Sequence, residues 1–204
     1  MSMPLSALGF APLPARRLLA LGLGAVLALA LGRGVEAADF RSVSWGMDKD
    51  DVKAAEDLKV LHEDDASLAY ATTLAGLDVI LTYGFGPSGL WRASYTTTEE
   101  RVDRNDHLAD YAMLKGLLGE KYGPPLQDDS FWVGDLYRND PTRWGLAVSV
   151  GALAYLASWQ TEATTIQLDL YGKDFEVVLR VLYRSRALGS GDRLPSEQKA
   201  LEDL

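Results

Sequence analysis

Two histidines, no cysteine and an abundance of carboxylates set the chemistry open to this 204-residue chain. His62 and His107 lie far apart in sequence, and a Ser-His-Asp arrangement would have to use one of them. No G-x-S-x-G elbow accompanies either. Zinc sites usually draw two or three ligands from His and Cys, so no metal site is predicted. The absence of cysteine excludes disulfides, thiol nucleophiles and thiolate metal sites. Calcium is tested by spacing. An EF-hand loop starting at Asp135 would put Tyr137 where an oxygen ligand belongs and Asp140 where a glycine belongs, and one starting at Asp48 would put Val52 at its fifth position. Both fail. The glycines from Gly84 to Gly89 lack the spacing and the following helix of a phosphate-binding or dinucleotide loop. No cofactor is implied. What stays open on the catalytic side is paired acid/base chemistry by carboxylates, with a saccharide as the substrate class.

The stretch most suited to recognition is Asp128 to Trp144, DDSFWVGDLYRNDPTRW. It places Phe131, Trp132, Tyr137 and Trp144 among Asp135, Arg138, Asp140 and Arg143. Aromatic rings beside arginines and acids are what protein and sugar contact surfaces use. Trp132, Asp135, Tyr137, Arg138, Asp140 and Arg143 are therefore the predicted binding surface, with Trp132 and Tyr137 as its first anchors. The competing reading is that Trp132 and Trp144 plug the core while the charges face water. Trp45, Trp91 and Trp159 follow the strand pattern and are read as core.

These residues need a scaffold. Asp106 to Tyr122 is the clearest helix, with Leu108, Tyr111, Leu114, Leu118 and Tyr122 at three- and four-residue steps on one face. Asn105 is placed to cap it, and Gly123-Pro124-Pro125 stops it. A second, short helix is expected from Lys49 to Glu56, with Asp48 as its cap and Asp51 at the capping-box position. Strands are expected at Ala38–Ser44, Ser67–Leu74, around Leu77–Tyr83 and Leu90–Thr97, at Phe131–Val133, and around Leu146–Val150 and Leu153–Trp159. A final hairpin is expected from Thr164–Tyr171 and Phe175–Arg184, turning at Gly172-Lys173-Asp174 with Ile166, Leu168 and Leu170 against Val177, Leu179 and Val181. Short turns make consecutive strands antiparallel. The fold class is therefore α+β: an antiparallel sheet with one short and one long helix on one face, and an order that hints at a twofold helix-then-strands repeat.

The termini set the address. Arg16-Arg17 precede an uncharged apolar run from Leu18 to Leu31, and Val35 and Ala37 suit a signal-peptidase site. The run is shorter than the roughly 20 residues of a spanning helix. Residues 1–37 are predicted to be a secretory signal peptide, residues 38–187 one domain, and residues 188–204 a flexible tail. Removing residues 1–37 takes away Arg16, Arg17, Arg33 and Glu36 and moves the net charge from −9 to −11. So acidic a chain repels nucleic acid and anionic lipid. A lipid anchor would need a cysteine at the cleavage site. The expected location is the bacterial periplasm or exterior.

Gly46-Met47-Asp48, followed by Asp51-Val52, resembles the opening helix of the beta-lactamase-inhibitor-like fold, a group that includes small assembly-factor lipoproteins of the outer membrane. A second resemblance is to a family of uncharacterised exported bacterial proteins. It runs through Phe40 with Trp45-Gly46-Met47, Lys121-Tyr122-Gly123-Pro124, Asp135-Leu136-Tyr137 with Asp140-Pro141, and Trp144-Gly145-Leu146-Ala147. The resemblance implies an envelope protein with no assigned activity and no catalytic residues. Two functions follow as expectations. The first is a non-catalytic binding or accessory protein of the cell envelope, with an envelope protein or saccharide as partner. The second is a carboxylate-based saccharide hydrolase.

Overall fold

The computed structural model describes residues 38–188. The predicted signal peptide at 1–37 and residues 189–204 of the predicted tail lie outside the described residues.

The protein is α+β: a single eight-stranded antiparallel sheet with three helices packed against it. Helix α1 (Lys49–Ala55) is followed by strands β1 (Val60–Glu63), β2 (Ser67–Leu74), β3 (Leu77–Gly86) and β4 (Gly89–Thr97). Helix α2 (Asp106–Tyr122) is followed by β5 (Gln127–Trp132), a 3-10 turn (Pro141–Arg143), α3 (Trp144–Ser149), β6 (Leu153–Gln160), β7 (Thr164–Lys173) and β8 (Glu176–Ser185). The sheet order is β1-β2-β3-β4-β8-β7-β6-β5, so each half is a four-stranded meander and the last strands of the two halves meet at the centre. The order of a helix and then four strands occurs twice.

Strand alternation assigns the two faces. One cross-strand row runs Tyr70, Leu81, Tyr95, Val181, Leu168, Ala157, and all of these are buried in the core. The neighbouring row runs Ala69, Thr82, Ser94, Leu182, Gln167, Ser158 on the opposite, more polar face. Helix α2 lays Tyr111, Leu114 and Leu118 onto the apolar face, with Leu108 and Tyr122 half-buried, as the spacing requires. Each fully buried side chain of this size contributes about 1.5–3 kcal/mol. The end of α2 is fastened to the sheet by Trp159, whose indole Nε1 donates to the Gly123 carbonyl at 2.9 Å. The cap of α1 forms as expected: Asp48 Oδ1 accepts from the Asp51 N–H at 2.8 Å.

Several expectations are corrected. Ala38–Ser44 is not a strand but a tight turn closed by a Phe40–Val43 bridge, although both side chains are core residues. Leu146–Val150 is not a strand. Five residues cannot separate a period of 2 from one of 3.6, and here the end signals decide. Asp140 caps the 3-10 turn with Pro141 at its first position, α3 continues from it, and Gly151 at φ +77° stops the helix. Asn105 makes no side-chain cap to α2, because its amide is used elsewhere. The final hairpin turns at Asp174-Phe175, both at positive φ, as a two-residue hairpin turn of the primed kind requires. This sets Leu168 opposite Val181, Leu170 opposite Leu179 and Ile166 opposite Tyr183, while Val177 faces Gly172. Strand β1, which holds His62, is not among the expected strands; it is short and largely exposed, so it carries little pattern.

Candidate functional site

The predicted surface begins on an edge strand. β5 pairs only with β6, and its outward-facing pattern is almost wholly exposed. Asp128 and Asp129 put charge at one end of this edge, the usual guard against pairing with another chain. Lys115 of α2 reaches Asp128 at 3.0 Å and holds the strand under the helix. The other end, Phe131 to Leu136, has no such charge until Asp135.

From there the chain folds back on itself. Trp132 ends β5 opposite the fully buried Leu153 and is half-buried. Its ring meets that of Trp144, the first residue of α3, edge to face at 6.0 Å and 70°. The Arg138 guanidinium stands 5.8 Å over Trp132, and that of Arg143 stands 5.6 Å over Tyr137. Trp144 Nε1 donates to the Arg138 carbonyl at 3.2 Å. Asp135 pairs with Arg138 at 3.5 Å, and Asp140 with Arg143 at 3.2 Å. Exposed pairs of this kind add little stability, but they orient the two guanidinium groups over the rings.

The six predicted residues are thus brought together, with different duties. Trp132 and Tyr137 are half-buried, packed against the core and roofed by arginines. Asp135, Arg138 and Arg143 are exposed. Asp140 is committed to structure: its Oδ1 accepts from the Thr142 N–H at 3.2 Å. Tyr137 adopts φ +63°, the left-handed region that non-glycine residues rarely enter.

The platform is set by Asn105. Its Nδ2 donates to the Thr142 carbonyl at 2.9 Å, and its Oδ1 accepts from the Gly145 N–H at 2.7 Å. This clamps the start of α2 to the start of α3. The approach is so close that a Cβ on Gly145 would lie 2.2 Å from the Arg104 carbonyl group. Only glycine fits there.

Three exposed apolar side chains lie in this stretch, of which the sequence reading names Phe131 but not Val133 or Leu136. Phe131 is 49% exposed, Val133 74% and Leu136 53%. Phe131 is one of the aromatics of the predicted stretch, and Val133 falls in the short strand expected at Phe131–Val133. The signal that would have shown their exposure is that β5 is an edge strand, a property of sheet order rather than of local pattern. Scattered exposed hydrophobics are ordinary. Three within six residues, beside two half-buried tryptophans, form a patch.

The histidines and buried carboxylates lie elsewhere. His62 is exposed and faces Asp64 at 3.3 Å. His107 is buried at the start of α2, and burial holds its imidazole below the ordinary pKa. Glu56 is gripped by Arg41 through two bonds of 2.9 and 3.0 Å and accepts from the Tyr83 hydroxyl on the helix side of the sheet. Asp169 is held by Arg180 at 2.7 Å on the opposite face. Two carboxylates that share a bond-cleaving task must flank one substrate atom, and these two are separated by the sheet. Among the described residues, no cluster of three or more His, Cys, Asp or Glu side chains could hold a metal.

Compared with known proteins, the chain matches no family model, no curated protein and no solved structure.

Proposed function

We propose that this chain is an exported, non-catalytic binding or accessory protein of the bacterial cell envelope. Its contact surface is the end of β5 with the loop that follows, from Phe131 to Arg143. One observation carries the reading: Phe131, Val133 and Leu136 are exposed together beside Trp132 and Tyr137, which lie half-buried beneath Arg138 and Arg143. Tryptophan, tyrosine and arginine are the residue types that dominate binding energy at protein interfaces. An exposed apolar rim around them excludes water when a partner seats. The open edge of β5 adds backbone donors and acceptors to which an extended segment of the partner can pair. The carboxylate-hydrolase reading loses ground because the two buried acids face opposite sides of the sheet, each bound by an arginine.

The test is capture of partners from envelope extract with the purified chain as bait, wild type against Val133→Asp/Leu136→Asp and Tyr137→Ala/Arg138→Ala. A specific partner should be recovered by wild type and lost by both double variants, with the melting temperature of Val133→Asp/Leu136→Asp nearly unchanged. Leu61→Asp, on the exposed β1 edge, should retain it. Recovery that is the same with all four proteins would defeat the proposal. So would loss of binding only where stability is lost.

A further inference from the structure

On the helix side of the sheet, the turn at Ala38–Arg41 lies across from the carboxy-terminal half of α2. A cavity of about 340 Å³ remains there, between that turn, the carboxy-terminal half of α2 and the central strands β4 and β8. Pockets that hold small molecules begin at about this volume. Phe40, Leu114, Leu118 and Val181 form its apolar side, each with little of its surface open, and Arg41, Tyr95, Lys121, Tyr122 and Tyr183 add polar groups. Phe40 is fixed in place by ring contacts at 4.7 Å with Tyr183 and 5.5 Å with Tyr95, so the wall is built rather than collapsible.

The polar groups at the cavity are mostly donors. The Tyr95 oxygen accepts from Arg41 Nη1 at 3.2 Å, which leaves the Tyr95 proton free to donate and places a cation behind it. Arg41 itself is neutralised by Glu56. Burial opposes the charge on Arg41, but its bonds to Tyr95 and Glu56 outweigh burial and hold the guanidinium protonated. Lys121, at the last turn of α2, lines the cavity and has no ion-pair partner among the described residues; its ammonium stands 5.0 Å from the centre of the Tyr122 ring. One carboxylate, Asp39, also lines the cavity; its Oδ2 accepts from the Trp45 N–H at 2.9 Å.

The geometry points to a binding site for a small amphiphile with an apolar tail and a single anionic head, such as a fatty acid. The tail would lie against Phe40, Leu114, Leu118 and Val181, and the head would take the Lys121 ammonium and the Tyr95 hydroxyl. This site is separate from the proposed protein contact surface and would serve a chain that moves, stores or senses such a molecule.

Dodecanoate, below its micelle concentration, is the probe, titrated into the full chain and followed by calorimetry and by methyl resonances. Binding should saturate at one molecule per chain, with shift changes concentrated at Leu114, Leu118 and Val181. Dodecylammonium should not compete. Lys121→Glu, at an exposed helix position, should weaken binding at least tenfold with an unchanged circular dichroism spectrum. Tyr95→Phe should weaken it less. Val133→Asp/Leu136→Asp should bind dodecanoate as wild type does, which separates this inference from the contact-surface proposal. No saturable binding, equal binding of dodecylammonium, an unaltered affinity in Lys121→Glu, or shift changes centred elsewhere would each overturn it.

Discussion

The two halves of the sheet follow the same order, a helix and then a four-stranded meander, and are held by different physics. In the amino-terminal half, α1 spans only Lys49–Ala55 and buries one side chain, Val52. It is secured instead by a polar network beneath it, in which Glu56 at the helix end is bound by Arg41 and Tyr83. In the carboxy-terminal half, α2 spans Asp106–Tyr122 and is secured by an apolar face. The spare length of that half, from Val133 to Val150, becomes a loop, a 3-10 turn and a third helix. A short helix needs directional bonds because it has little area to bury. A long one does not, and it can support an appended surface.

This contrast can be broken by mutation, beginning where the effect is largest. Leu118→Ala in α2 should cost about 2–5 kcal/mol, since the side chain is buried against the sheet. A denaturation midpoint equal to wild type would show that α2 is not held by its apolar face. Arg41→Ala should cost roughly 1–3 kcal/mol, because it strips a buried carboxylate of its bidentate partner while Arg41 itself is one-third exposed. In a Tyr83→Phe background, which leaves no buried hydroxyl orphaned by the loss of Glu56, replacing Arg41 by Met and Glu56 by Leu together should recover much of that loss. If the double variant is as unstable as the single, the network contributes by shape rather than by charge. Gly145→Ala should cost about 1–3 kcal/mol through overpacking against Arg104 and Asn105. Hydrogen exchange should speed up in α3 and the Asp135–Arg143 loop while β1–β4 stay protected. Uniform loss of protection would mean that the halves unfold as one.

The smallest expected effect is with pH. The imidazole of His107 titrates lower in the fold than in the unfolded chain because it is buried. As pH falls through the ordinary histidine range near 6.5, the unfolded state takes up the proton first, so the stability contributed by neutral His107 is full above that range and declines below it. His107→Gln should flatten the fall in melting temperature between pH 7 and pH 5.5. An identical slope in wild type and variant would assign the pH dependence to other groups.

Much of this was readable in the sequence, and the exceptions share a cause. The face of α2 and the alternation of Leu77, Val79, Leu81 and Tyr83 are strong because many residues repeat the same period. Leu146–Val150 was misread because it offers too few residues to show a period, while its punctuation, Asp140-Pro141 before and Gly151 after, was the better guide. Asn105 sits where a cap belongs, yet its partners are Thr142 and Gly145, some forty residues on, and no local rule reaches that far. The aromatics and arginines of the proposed contact surface, Phe131 among them, stand out in the sequence. The exposure of Val133 and Leu136 does not, because it follows from their place at the edge of the sheet.

The claim at the centre of the account is that one edge of the sheet meets a partner and the other does not. A photo-reactive phenylalanine analogue can be installed singly at Leu136 and Val133, beside β5, and at Leu61, on the β1 edge. All three side chains are exposed by more than half. Irradiation of intact cells that express the chain should give a discrete adduct of one size from Leu136 and Val133, and none from Leu61. Adducts of the same pattern from all three positions, or none from the β5 side, would contradict the account.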